Sequence, residues 1–410
     1  MYKYKYFLIL FFLISLKLYS NNIEAISDNA SLSGYIVDVE TEETLIGATI
    51  SIQGTKLGAY TNKSGFYSIL NIPPGKYTIN ISSIGYEKIS KTFTFEKNKP
   101  VRFTFKMKPL TITTNEISVE ATRDVEKREI TISKVNIPVK QIKEIRFGGE
   151  SDVFRSLQYL PGILTSSQIS TGLFVRGGSP DQNLVLVDGS HIYNPSHLFG
   201  FISTFNTDAI KDVELIKGGF PAEFGGRLSA VLSLTQKDGD RNHINGLGSI
   251  GVLSSRLSLE GPIGNGSWFI GGRRTYLEII KAFIPDDPTN PLPDFNFYDV
   301  NAKITQDVGD NDKLFLSGFL SADNLGYDAY GVDMLMELSN KLLSLRWTHI
   351  FGDNLFSVIN ISGSNYSNNF TGDQSGYEFL INNSITDYTI KGSAERSEEH
   401  TSELQSRQVI

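Results

Sequence analysis

From about Gly246 onward, apolar and polar residues alternate over long stretches. Leu343, Leu345 and Trp347 interleave with Ser344, Arg346 and Thr348, and Leu253, Leu257 and Leu259 with Ser254, Arg256, Ser258 and Glu260. A period of two puts successive side chains on opposite faces of an extended strand, so a helix has no consistent face to bury here. Connections such as Gly309-Asp310-Asn311-Asp312 separate the runs. One face suits lipid and the other a wet lumen, and alternation over about ten residues is the mark of a transmembrane β-barrel.

At 410 residues the chain is long enough for two or three domains. Its 37 glycines, 26 phenylalanines and 18 tyrosines suit strands and tight turns better than helix bundles, so the expectation is mainly β. A net charge of -7 without a basic run lacks the footprint of nucleic-acid binding, and no such partner is expected. Lys3 and Lys5 precede an apolar run from Tyr6 to Leu16, with polar residues near Ser20; residues 1–20 have the layout of a secretory signal peptide. The run is shorter than the about 20 residues a membrane-spanning helix needs. With 0 cysteines, an exported chain has no disulfide, no thiol chemistry and no thioether lipid anchor. Packing and strand pairing must hold it together.

Residues 30–108 contain short alternations. Ala48, Ile50 and Ile52 alternate with Thr49 and Ser51, and Tyr77, Ile79 and Ile81 with Thr78 and Asn80. Turn signals lie between, at Asn62-Lys63-Ser64-Gly65 and Pro73-Pro74-Gly75, where proline presets φ and glycine supplies positive φ. About seven strands at this spacing predict a small sandwich. Gly47-Ala48, Gly54-Thr55, Thr61, Ser64-Gly65-Phe66-Tyr67, Pro74-Gly75-Lys76-Tyr77 and Gly85-Tyr86 resemble the carboxypeptidase-regulatory-like domain, which implies a transthyretin-like β-sandwich. A zinc peptidase would need His-x-x-Glu plus a distant histidine, and the sole His-x-x-Glu is His400 to Glu403 in an atypical tail.

The linker, 109–134, is polar and charge-mixed, with one extended patch: Glu116, Ile117, Ser118, Val119, Glu120 and Ala121. Such a patch suits strand addition to a partner's sheet edge, or serves as an ordinary edge strand.

A short amphipathic helix is expected from Asp152, stopped by Pro161-Gly162. Beyond it, Leu173-Phe174-Val175 and Leu184-Val185-Leu186-Val187 read as strands around a turn containing Gly177, Gly178, Asp181, Gln182 and Asn183. The glycine pair is no phosphate loop, since neither the lysine nor the helix that would hold the anion follows it. Gly246-Leu247-Gly248-Ser249-Ile250-Gly251 matches a dinucleotide fingerprint, yet an alternating strand follows where a helix should. No Gly-x-Ser-x-Gly elbow occurs, and His191 and His197 lack the companions of a metal site. No catalytic residue, cofactor or metal is assigned.

What these residues do resemble is the plug domain of TonB-dependent outer-membrane receptors, over about residues 135–239. The resemblance rests on Leu160-Pro161-Gly162-Ile163, on Phe174-Val175-Arg176-Gly177-Gly178 and on Leu184 to Gly189, which includes Asp188. Two further motifs are Ile210 to Gly218, with Glu214 and Lys217, and Phe224 to Leu232, with Gly225 and Arg227. Five motifs in order make it specific. Lys217 stands where the family commonly has arginine, which weakens any bidentate carboxylate role. Phe224-Gly225-Gly226-Arg227 replaces the more usual Tyr-Gly.

Residues 246–395 then read as about seven strands of a partial barrel. A plugged lumen calls for about 22 strands, so the chain is expected to be incomplete. Residues 396–410 turn abruptly polar and resemble a translated sequencing adapter, leaving them outside the fold.

The resemblance implies a TonB-dependent receptor of the Bacteroidetes type in a Gram-negative outer membrane, with a periplasmic N-terminal domain and a plug gated by TonB for uptake of a scarce nutrient. Its partners would be TonB through Glu116 to Ala121, membrane lipid, the nutrient and, as a further candidate, a surface lipoprotein. Asp181, Gln182, Asn183, His191, Tyr193 and His197 are the expected cargo contacts, on their polarity and aromatic character. The alternative is a signalling or adhesion protein built from the same modules.

Overall fold

The computed structural model describes residues 29–110 and 134–396, apart from 148, 168–169, 198–199, 277–280, 282, 285–291, 330, 353 and 375. The expected signal peptide, the Glu116 to Ala121 patch and residues 397–410 of the expected tail lie outside the described residues, whereas Arg396, expected to start that tail, ends a strand opposite Leu355.

The first unit is two facing four-stranded sheets. In one, Ala30–Asp38 pairs antiparallel with Phe66–Ile72 and parallel with Pro100–Arg102 and Phe105–Met107. The other runs Gly58–Tyr60, Thr49–Ile52, Gly75–Ser82, Ile89–Phe95. Ile50, Ile52, Ile79 and Ile81 point inward onto Leu32, Ile36, Ile69 and Phe105. The short alternations therefore mark the core face, as the period-two reading predicts.

The second unit is built on a five-stranded sheet in the order Ser190–His191, Leu184–Val187, Val231–Gln236, Ile210–Ile216, Lys134–Ile137. Leu184–Val187 lies parallel to Val231–Gln236, a pairing 47 residues apart in register (Leu184 opposite Val231). Phe174–Val175 does not pair with Leu184–Val187; it meets Ile163–Leu164 instead. The expected helix is shorter than the motif suggests, Val153–Leu157, and all of its side chains are buried. Amphipathicity fails because the helix has no solvent face: Phe154 packs on Phe205, and Phe205 on Phe319 of the outer wall.

That wall is an eight-stranded antiparallel sheet in sequential order, from Asn245–Ile250 to Tyr377–Arg396. Its later strands are longer than the expected ten residues, reaching 20 in Val332–Phe351, Leu355–Gln374 and Tyr377–Arg396. Inner and outer faces separate as the alternation demands: Leu343 is 60% exposed and Leu345 44%, while Ser344 and Thr348 are 2% and 1%. Inner-face Asp299, Asn301, Lys303 and Thr305 of Asp294–Val308 are likewise buried, because the second unit sits against that face. The Gly246 to Gly251 run begins inside strand Asn245–Ile250, which has no helix behind it to hold a dinucleotide.

Candidate functional site

The seam between the inner unit and the wall carries the chemistry. At Arg176-Gly177-Gly178 the chain turns with φ of 50° at Arg176 and 87° at Gly177. A side chain at Gly178 would strike Ser229, whose hydroxyl donates to the Val175 carbonyl at 2.9 Å. These glycines allow close backbone packing; their amides face no open anion cradle.

Asp188 takes a strained φ of 47° ahead of Gly189. Its carboxylate accepts from the Gln236 backbone N–H at 3.1 Å and lies 3.4 Å from Lys303 of the wall. The Asp-Gly pair is thus both a turn and a fastening. Glu214 sits between Lys63 of the sandwich at 3.4 Å and Lys134 at 3.0 Å. Burial alone would raise its pKa, but the two ammonium groups outweigh burial and hold it below the usual carboxylate value. Lys217 donates to the Pro161 carbonyl at 3.1 Å, a single bond that needs no guanidinium fork. Gly218 is left-handed at φ 106°, and Arg227 donates to the Gly226 carbonyl.

The cargo candidates divide. Asp181, Asn183 and Tyr193 line one cavity of about 360 Å³, together with Phe154, Ser170 and Pro195. Gln182, His191 and His197 do not. Gln182 is committed to the turn, its carbonyl accepting from Leu228 and Ser229, and its amide oxygen accepting from Ser179. His191 lies against Tyr193, ring centroids 4.0 Å apart and tilted by 39°; burial, then Arg227, pushes its pKa down.

His197 is the clearest correction. Its ring has no exposure, so it is not offered to a cargo molecule. Nε2 lies 2.6 Å from Asp299 and Nδ1 2.9 Å from Asp323, while Phe297 stacks on the ring at 4.1 Å. Both neighbours are carboxylates, so the ring donates from both nitrogens as an imidazolium. Burial would lower its pKa, but Asp299 and Asp323 outweigh burial and raise it. Arg273 completes the group, donating to Asp299 at 2.6 Å and to the Ser203 carbonyl at 2.6 Å. Two cations and two carboxylates from one inner loop and three wall strands close a neutral, buried cluster.

A second joint forms around Asp238. Lys211 of Ile210–Ile216 contacts it, Lys303 of the wall lies at 2.9 Å, and Thr44 of the sandwich at 3.3 Å. Glu43 accepts from the Asp238 backbone N–H at 2.6 Å. Burial would raise the Asp238 pKa, yet Lys211 and Lys303 hold it far below the ordinary range. Sequence reading missed Arg273, Asp299, Lys303 and Asp323. The available signal was charged and amide side chains at inward positions of an alternating strand, as in Asp299, Asn301, Lys303.

An inner unit pinned by buried charge to a β-wall is the architecture of a plugged barrel. Residues 126–231 match the family model of the TonB-dependent Receptor Plug Domain, and residues 32–119 that of the CarboxypepD_reg-like domain. The chain therefore carries a TonB-dependent receptor plug domain behind a carboxypeptidase-regulatory-like domain. Among curated proteins it is similar to the TonB-dependent transporter Oar of Myxococcus xanthus, 22% identical over 224 residues. That match covers 52% of this chain and 21% of the relative, so the chain spans about a fifth of that protein's length. The outer membrane transporter YddB from Escherichia coli shares the fold at a TM-score of 0.51 and 12% identity, over 65% of this chain and 45% of that one. A ferric enterobactin receptor (PfeA) mutant from Pseudomonas aeruginosa is similar at a TM-score of 0.49 and 16% identity, over 65% and 46%. These matches are to receptors and transporters rather than enzymes.

Proposed function

We propose that the chain works in a Gram-negative outer membrane as a TonB-dependent receptor that imports a scarce nutrient. Residues 1–20 would direct export, 30–108 face the periplasm, 109–134 meet TonB, 135–239 form the plug and 246–395 part of the wall. The observation that carries this reading is the plug's attachment: the His197 and Asp238 joints cross from plug to wall through buried ion pairs. Such joints hold firmly at rest, yet each is a discrete polar group, so a pull on the plug can break them without unfolding the wall. The outward Leu343, Leu345 and Trp347 suit lipid contact. Cargo is proposed to meet the cavity holding Asp181, Asn183 and Tyr193.

Deleting Glu116 to Ala121 tests the reading. Energised cells should still bind a labelled cargo drawn from ferric siderophores, cobalamin and peptides, but should cease to accumulate it. Undiminished accumulation would sink TonB-driven import through that segment. Surface binding without accumulation in the undeleted protein would favour the signalling or adhesion alternative.

A further inference from the structure

The N-terminal sandwich is more than a tethered appendage. It touches the plug and the wall at once. On the plug side, Lys63 pairs with Glu214, and Thr44 accepts from Lys211 at 3.2 Å and donates to Asp238. On the wall side, Arg102 donates to Asn311 at 2.5 Å and Lys313 lies 4.0 Å over the Tyr35 ring, while in the connection ahead of the first wall strand the Arg241 N–H donates to the Thr41 carbonyl at 2.9 Å.

An apolar contact joins these polar ones. Tyr35, Val37 and Phe66 form a cluster with Ile350 and Phe356 of the wall, and the Phe66 and Phe356 rings stack 5.0 Å apart at 11°. This cluster is separate from the sandwich's own core of Leu32, Ile36, Ile50 and their neighbours. The sandwich therefore does not need the patch for its own packing; the patch fits the rim. Between the contacts a cavity of about 650 Å³ remains, walled by Asn62, Lys63, Phe66, Lys134, Glu214 and Phe356 among others. One apolar patch and separate polar contacts around a roomy gap make an interface that parts more readily than a continuous core does.

The wall cannot follow a moving plug, so a body fastened to both opposes their separation. We propose that the N-terminal sandwich is a lock on the plug: docked, it covers the Asp238 joint and holds strand Ile210–Ile216 through Lys211 and Glu214, and it must leave before that strand can move. The sandwich shields Asp238, where plug, wall and sandwich meet. This inference does not depend on import, because a signalling receptor could use the same lock.

Because the chain has 0 cysteines, a Phe66→Cys, Phe356→Cys pair places the only two thiols across the interface. Hydrogen exchange of the membrane-embedded protein is then followed with the pair bridged by a cleavable bis-maleimide and again after cleavage. Exchange in Ile210–Ile216 should be at least about tenfold faster after cleavage, a shift of about 1.4 kcal/mol in local opening, with Gly75–Ser82 of the sandwich unchanged. Equal rates before and after cleavage overturn the lock. If the cleaved pair also loosens Gly75–Ser82, Glu43→Gln, which leaves both apolar clusters intact, decides by the same measure: faster exchange confined to Ile210–Ile216 supports the lock and no change overturns it. Neither readout involves cargo, so loss of the lock and loss of the import reading remain distinguishable.

Discussion

The sandwich and the plug are both small β units, yet they are held in opposite ways. The sandwich closes on an aliphatic and aromatic cluster from its own strands, with Ile50, Ile79 and Ile81 almost fully buried. The plug has an apolar core too, which reaches Phe319 and Leu342 of the wall, but buried charge at His197 and Asp238 also fastens it there. Hydrophobic burial is non-directional and forgiving, whereas a buried ion pair is strong only while every partner stays in position. A unit meant to stay folded uses the first, and a unit meant to stay put until displaced is well served by the second.

The sharpest way to break this contrast is to remove one charge from a joint. Asp238→Ala leaves Lys211 and Lys303 buried without their nearest carboxylate, with only Glu43 at 4.0 Å and Asp188 at 3.4 Å remaining, which should weaken the plug's hold by about 3 kcal/mol. Protease access to the plug at rising urea checks this, with access expected at lower urea while the sandwich midpoint stays in place. The converse change is Ile79→Ala, which removes core volume from the sandwich and should cost it about 2–5 kcal/mol. Thermal unfolding followed by exchange in Gly75–Ser82 should record that loss, with Leu184–Val187 of the plug unaffected.

The two holds should also differ in pH dependence. His197 has a raised pKa, so its charged form is the one the native joint favours. Its contribution is complete below the ordinary histidine value of about 6.5 and is lost as pH rises through the raised value. Asp212, raised to about 6 by burial and then by Glu214, acts in a lower window: its neutral form is favoured, so the native state loses stability between about pH 4 and 6 and changes no further above that. Plug release measured from pH 6.5 upward should therefore grow easier in the native protein. In His197→Gln the slope should flatten, and a slope that persists would assign the pH dependence elsewhere.

The same contrast governs what the sequence discloses. The sandwich strands are legible because alternation is local and the turns at Asn62 to Gly65 and Pro73 to Gly75 announce themselves. The wall is legible for the same reason: Leu343, Leu345 and Trp347 face out while Ser344 and Thr348 face in. The plug motifs mark the chain's turns correctly, but the parallel pairing of Leu184–Val187 with Val231–Gln236 has no local signature. The joints are harder still. His197 reads as a loop histidine because its partners Asp299 and Asp323 lie 102 and 126 residues further on, on strands whose placement depends on the finished wall.

The smallest expected effect belongs to the part of the seam beside the cavity of Asp181, Asn183 and Tyr193. Tyr193 donates to Asp387 of the last strand at 3.2 Å, and burial, then Asp387, raises its pKa. The contact is half-exposed, so water can replace the lost partner, and Tyr193→Phe should cost at most about 1 kcal/mol of plug attachment. Its value lies in separating two roles for one residue. If Tyr193 only steadies the plug, the change should shift urea-driven plug release slightly and leave cargo affinity alone. If the cavity shared with Asp181 and Asn183 receives cargo, affinity should fall more than attachment does, because the hydroxyl is then lost from a site that must pair with polar groups of the ligand. Equilibrium binding and plug release measured on the same variant decide between them.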